Sequence, residues 1–195
     1  MRPVLIPRSS LLAALAAAII YIASPAQAHE SPEEFDKRLT AELQAVNPEA
    51  ADLFRQANEA RAKQDYRAAA DLYARVQELV PTFDHATRRQ AYEELQAGNR
   101  DLAISLARKA TQLQSSADNL STLAICLAAE IASSKPTQTQ MSEALDLADR
   151  AVALEPDNPF SLSVQCQVSL SGQAFDTLRR CVDSLKKVAP KDSQT

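Results

Sequence analysis

The amino-acid sequence predicts an all-α chain, a superhelical solenoid of about four helix hairpins preceded by one extra helix. Three observations predict it. Of 195 residues only 2 are Gly and none is Trp, while 46% are hydrophobic; with few β-branched runs, that balance favours helices around a real core. Apolar residues recur at helical spacing, as in Ala69, Leu72, Tyr73, Val76 and Leu79. The same pattern returns at a step of 34 residues, the mark of stacked supersecondary units, and four such units exceed the roughly three needed to bury a continuous core.

The chain opens with residues 1–28, read as a secretory leader. Arg2 and Arg8 give a positive start, Leu11–Ala23 is an unbroken apolar run, Ser24-Pro25 breaks it, and Ala26-Gln27-Ala28 fits a cleavage site before His29. A membrane span needs about 20 apolar residues, so a cleaved leader is expected rather than a retained anchor. The expected compartment is the periplasm or the outside of the cell, with no membrane span left after cleavage. Without the leader 19 basic residues face 25 acidic ones, a net charge of −6, which argues against nucleic-acid binding.

Residues 29–49 predict a capping helix. Ser31 is its cap, Pro32 lies in its first turn and Glu34 closes a capping box. Phe35, Leu39, Leu43 and Val46 form a stripe that ends at Asn47-Pro48, placed to cover the apolar end of the first hairpin. The hairpin domain spans 50–190. In its first unit, 50–83, Leu53, Ala57 and Ala60 share one helix face, Lys63–Tyr66 turns the chain, and Pro81 stops the second helix. In the second, 84–117, Ala91, Ala103, Ala107 and Ala110 fall in register. The third, 118–158, carries Ile125, Ala144, Ala148, Ala151 and Pro156. Ile125 and Ala144 lie 19 residues apart where Ala57 and Ala69 lie 12 apart, so a loop insertion is placed at 133–139. The fourth, 159–190, carries Cys166, Leu178, Val182, Leu185 and Pro190, and 191–195 is a flexible tail. Leu178, Val182, Leu185 and Val188 lack a covering helix, so this last helix is expected to associate with another copy or a partner. Its Arg179, Arg180, Lys186 and Lys187 read as a solvated outer face.

Ala69-x₃-Tyr73 and Pro81, with Leu53 and Ala57 in the Trp and Gly slots of the first helix, resemble the tetratricopeptide repeat (TPR) family. The resemblance implies that the first helices of successive repeats line a concave face that holds a peptide of a partner. Phe54, Asn58 and Arg61 are placed there from the first repeat, His85, Arg88, Arg89 and Tyr92 from the second, Asn119, Thr122 and Cys126 from the third, and Phe160, Ser163 and Gln167 from the fourth. Arg61, Arg88 and Arg89 would recognise an acidic or C-terminal peptide, with Phe54 and Tyr92 in stacking or apolar contact; alternatively the arginines pair with Asp84, Glu93 or neighbouring acids. The implied function is a non-catalytic exported adaptor or scaffold. The alternative is a regulatory subunit of an envelope enzyme or of a secretion or polymer-export complex.

Catalytic chemistry finds little footing. Gly98 and Gly172 are isolated, and no G-x-S-x-G, H-E-x-x-H or Cys-x-x-Cys occurs. Adjacent carboxylates such as Glu33-Glu34 and Glu93-Glu94 read as solvated charge. With 2 His in the chain, no metal site and no cofactor is expected. Three Cys in an exported chain leave one over. Cys166 and Cys181, fifteen residues apart, either bridge the two helices of the fourth hairpin or, with Cys126, are small core residues.

Overall fold

The computed structural model describes the backbone of residues 30–133 and 138–188 and the side chains of residues 30–129 and 139–188. The leader, its Ala28/His29 cleavage site and the 191–195 tail lie outside the described residues. Among the described residues there are nine helices and no strand. They are α1 (Pro32–Val46), α2 (Pro48–Ala62), α3 (Tyr66–Leu79), α4 (Asp84–Gln96), α5 (Arg100–Leu113), α6 (Ala117–Ser133), α7 (Gln138–Leu154), α8 (Pro159–Ser171) and α9 (Phe175–Val188).

The helices pair as the 34-residue step requires, α2 with α3, α4 with α5, α6 with α7 and α8 with α9. Each second helix also packs on the first helix of the next hairpin, and α4, α6 and α8 pack side by side. The result is the all-α solenoid of stacked hairpins, with α1 added at the front. Small residues permit the close approach: Ala57, Ala69, Ala91, Ala103, Ala107, Ala110, Ala144 and Ala151 are all fully buried.

Three tight turns share one design. Asp65 N–H donates to Ala60 O (3.0 Å), Asn99 N–H to Glu94 O (2.8 Å) and Ala174 N–H to Ser169 O (2.8 Å), the long bond of a Schellman closure. The residue just before each donor takes a left-handed backbone: Gln64 (φ 60°), Gly98 (φ 90°) and Gln173 (φ 54°). Asp65 then caps α3, its side chain accepting from Ala68 N–H at 3.2 Å. Asn47 alone joins α1 to α2. Its N–H donates to Leu43 O at 2.7 Å and its side chain accepts from Ala50 N–H at 3.1 Å. Pro48 fits the first turn of α2, where no N–H is needed, so that helix begins two residues before the predicted boundary.

The third hairpin departs from expectation. Ser133, Gln138 and Thr139, at the edges of the expected 133–139 loop, are helical, and α6 and α7 run 17 residues each, against 13–15 for the other hairpin helices. Ser133 ends α6 and Gln138 starts α7, leaving 134–137 outside the described residues. The long helices suit the composition, since Ala and Leu upstream of Ser133, and Met141, Glu143, Ala144 and Leu145 downstream, are good helix formers.

Two apolar clusters form the core. One gathers Leu39, Leu43, Leu53, Phe54, Tyr73, Val76 and Ala86 from α1 to the start of α4. The other gathers Ala91, Leu120, Leu123, Leu127, Leu147, Val164 and Val168 from the middle of α4 to α8. They meet at α4.

Candidate peptide-binding groove

The sequence of α4, DHATRRQAYEELQ, is polar, yet Asp84, Ala86, Thr87, Arg89, Gln90, Ala91, Glu93 and Glu94 are all buried. Buried polar groups need partners, and neighbouring helices supply most of them. Asn119 Nδ2 of α6 donates to Asp84 Oδ2 at 2.7 Å. Arg88 forms an ion pair with Asp118 of α6 at 3.2 Å, and Asp118 also accepts from Asn158 at 3.2 Å. Arg89 donates to Asn58 Oδ1 of α2 at 2.5 Å and pairs with Asp36 of α1. Gln90 accepts from Gln77 of α3 at 2.5 Å, and Glu94 accepts from Asn99 at 2.6 Å.

Phe54 is not a groove residue. It is fully buried, edge-on to Tyr73 and Phe83 with ring centroids 5.6 and 5.5 Å away, and Arg89 rather than solvent lies over its face. The large ring fills the wedge between α2, α3 and the Val80–Phe83 connection. Asn119 is likewise internal: besides Asp84 it donates to Ala110 O and Gln114 O, at 3.2 and 2.8 Å. Thr122 is buried with its hydroxyl on Asp118 O at 2.9 Å. Cys126 is buried too, and burial pushes its thiol up to about 12. These positions close because α4, α6 and α8 pack tightly through small residues.

Asn58, Arg61, His85, Arg88 and Tyr92 keep partial exposure. Asn58 is spoken for by Arg89 and by the Tyr73 hydroxyl at 2.5 Å. The His85 ring is edge-on to Phe35 and Phe83, and burial shifts it toward its neutral form. Arg61 is the most open of the cluster, its side chain 39% exposed and paired with Asp36 at 3.1 Å. The arginines therefore do pair with acids, but with Asp36 and Asp118 rather than Asp84 or Glu93.

Sequence reasoning missed two carboxylates. Asp36, from the capping helix, bridges Arg61 and Arg89; its place beside the Phe35–Leu39–Leu43 stripe was the available signal. Glu93 was read as solvated charge but is 1% exposed, and neither carboxylate oxygen has a hydrogen-bond partner. Burial raises it to about 7 against the opposing pull of Arg61 and Arg89. Adjacent Glu94 is also buried; both turn inward because α4 is covered on several sides, so adjacency on a helix did not expose either.

Cys166 and Cys181 are joined by a disulfide with Cα atoms 5.6 Å apart. Leu178, Val182, Leu185 and Val188 are half-buried, while Phe175 and Leu170 are 63% and 61% exposed. Among the described residues no group of His, Cys, Asp and Glu could hold a metal ion, and no helix is long and apolar enough to cross a membrane.

No family model and no curated protein sequence matches the chain. Its fold does match solved structures. A MamA from strain RS-1, described as an ArsTM double mutant, superposes with a TM-score of 0.56 at 15% identity, over 83% of this chain and 87% of that one. YrrB, titled a TPR protein with an unusual peptide-binding site, gives 0.54 at 13% identity over 82% and 80%. Yeast Tom70 gives 0.59 at 16% identity, over 83% of this chain and 34% of that longer one. At these identities the likeness establishes the TPR-like helical-repeat fold.

Proposed function

We propose that this chain is an exported, non-catalytic adaptor, working in the periplasm or outside the cell, that holds an acidic segment of a partner protein on the inner face of its first two repeats. The observation that carries the reading is Arg61: a side chain 39% exposed at a groove position, one turn from Asn58 and within electrostatic reach of Tyr92, in a chain of net acidic charge. Arg presents a planar fork suited to carboxylates, and Tyr92 adds a rigid amphipathic ring of the kind that anchors interfaces. YrrB, which shares the fold, is titled as having a peptide-binding site, and that supports peptide binding as a use of this fold. The leader's composition supports export.

Affinity capture from the native envelope fraction tests the reading, with residues 29–195 as bait beside an Arg61→Glu/Tyr92→Ala variant. These two positions are chosen because Arg88 and Arg89 are bound into the interior, where charge reversal would damage the fold. A partner captured by the native bait and lost from the variant is expected. A partner held equally by both would move the interface away from this face.

A further inference from the structure

The basic cluster already holds a carboxylate, and that carboxylate belongs to the chain itself. Asp36 of α1 reaches across α2: Oδ2 accepts from Arg61 at 3.1 Å and Oδ1 from Arg89 of α4. One carboxylate clamped by two guanidinium groups is how this site would hold a ligand's acid. Phe35, next to it, lies edge-on to His85 at 5.6 Å, with Arg38 4.9 Å and Arg89 5.9 Å from its ring centroid.

We propose that the Phe35–Asp36 pair is a built-in ligand that occupies the Arg61/Arg89 site in cis, and that a partner enters by replacing it with an aromatic–acidic pair of its own. The proposal rests on the groove reading above and gives it a regulation and a ligand chemistry. The anchoring of α1 favours such an exchange. Its fully buried residues are Leu39 and Leu43, both past the pair. Before and around the pair, Pro32, Glu33 and Lys37 are exposed, and the Lys37–Glu33 ion pair lies within α1 itself. The first two turns can therefore lift while Leu43 and the Asn47 joint stay docked, a local opening rather than an unfolding. Lifting them alone would strand Arg89, which is 5% exposed, so the open form is stable only when another carboxylate takes the place of Asp36. The site exchanges one acid for another and is not left empty.

The probe is a fluorescein-labelled synthetic peptide of residues 31–47, titrated against the full chain by anisotropy. Asp36→Asn in the protein removes the internal acid and keeps its shape. The expected result is peptide binding at least about tenfold tighter by Asp36→Asn than by the native chain. The same loss of competition is expected from Phe35→Ala. A peptide carrying Asp36→Asn should bind the opened chain about tenfold more weakly than the native peptide. Melting curves confirm that each variant is folded, and if Asp36→Asn is not, Phe35→Ala carries the comparison. Equal affinities of the native and opened chains, or indifference to the peptide's own acid, would overturn the proposal. If these fail while Arg61→Glu/Tyr92→Ala still loses its partner, the groove reading stands and occupancy by α1 falls. If the peptide binds as expected but partner capture ignores Arg61, the groove reading falls and takes competition by a partner with it.

Discussion

Glu93 shows what one buried group costs and how to measure it. Its folded pKa is raised by burial to about 7 from an ordinary 4.5. The folded state therefore binds this proton more tightly than the unfolded chain. The stability it contributes is fully present below about pH 4.5 and is lost as pH rises through about 7. Glu93→Gln should match the native chain at pH 5 and exceed it at pH 8 by about 2–3 kcal/mol. Urea unfolding at the two pH values decides; an equal difference at both would refute the account. A second residue-scale prediction concerns the turns. Gln64 and Gln173 hold the left-handed conformation that Gly98 holds in the equivalent turn. A side chain there is strained, and Gly is not. Gln64→Gly and Gln173→Gly should each raise stability by about 0.5–1 kcal/mol, seen as a higher urea midpoint at unchanged slope. At this scale the sequence marked the right positions more often than the right roles. Arg61 and Arg89 meet on the Asp36 carboxylate, whereas Arg88 turns to Asp118 of α6. Phe54 was misassigned because groove and core positions on a first helix differ by little rotation, and only the large Tyr73 and Phe83 rings decide which way it packs.

Several helices were legible from their own punctuation: Pro48 and Pro159 start helices, Pro81 and Pro156 stand just past them, and alanines mark the contact faces. Two elements were not. In the third hairpin helix reaches in to Ser133 and Gln138, inside the expected loop, since a count of extra residues does not say where the flanking helices end. The burial of α4 contradicts its composition, because its polar side chains find partners on α1, α2, α3 and α6, and those partners lie 13 to 53 residues away in sequence. The last helix carries a prediction. Cys181 is the one fully buried residue of α9, so its attachment to α8 leans on the Cys166–Cys181 bridge and a half-buried apolar stripe. Closing a loop of this size contributes about 3 kcal/mol. In a solenoid each hairpin depends on its neighbours alone. Reduction, or Cys166→Ala/Cys181→Ala, should therefore release α9 while the first three hairpins keep their structure. Amide exchange should accelerate across 175–188 and stay slow in α2 to α5; a uniform loss of protection would show that α9 supports the whole stack.

Across the whole molecule the two apolar clusters share one boundary, the polar layer of α4. Ala86 belongs to the first cluster and Ala91 to the second. Between and around them Asp84, Arg88, Arg89 and Gln90 bind outward to helices on both sides. Hydrophobic contact makes each half cohere and carries α4 and α5 onto α6, while hydrogen bonds and ion pairs add a polar tie across α4. The tie toward the C-terminal half runs through Arg88–Asp118 and Asp84–Asn119. Asp118→Asn keeps the shape of that side chain but leaves the Arg88 guanidinium, 12% exposed, without its counter-charge. The expected cost is about 3 kcal/mol. The stronger expectation concerns cooperativity. Stability in a stacked array is a sum of unit and interface terms, so weakening one interface separates the units on either side of it. The native chain should unfold in urea as one transition. Asp118→Asn should unfold in two, with amides of α6 to α8 exchanging at lower urea than those of α2 and α3. A single lowered transition, the same in both halves, would mean that the apolar contacts of α4 already suffice to join them, and that its polar layer serves the groove rather than the stack.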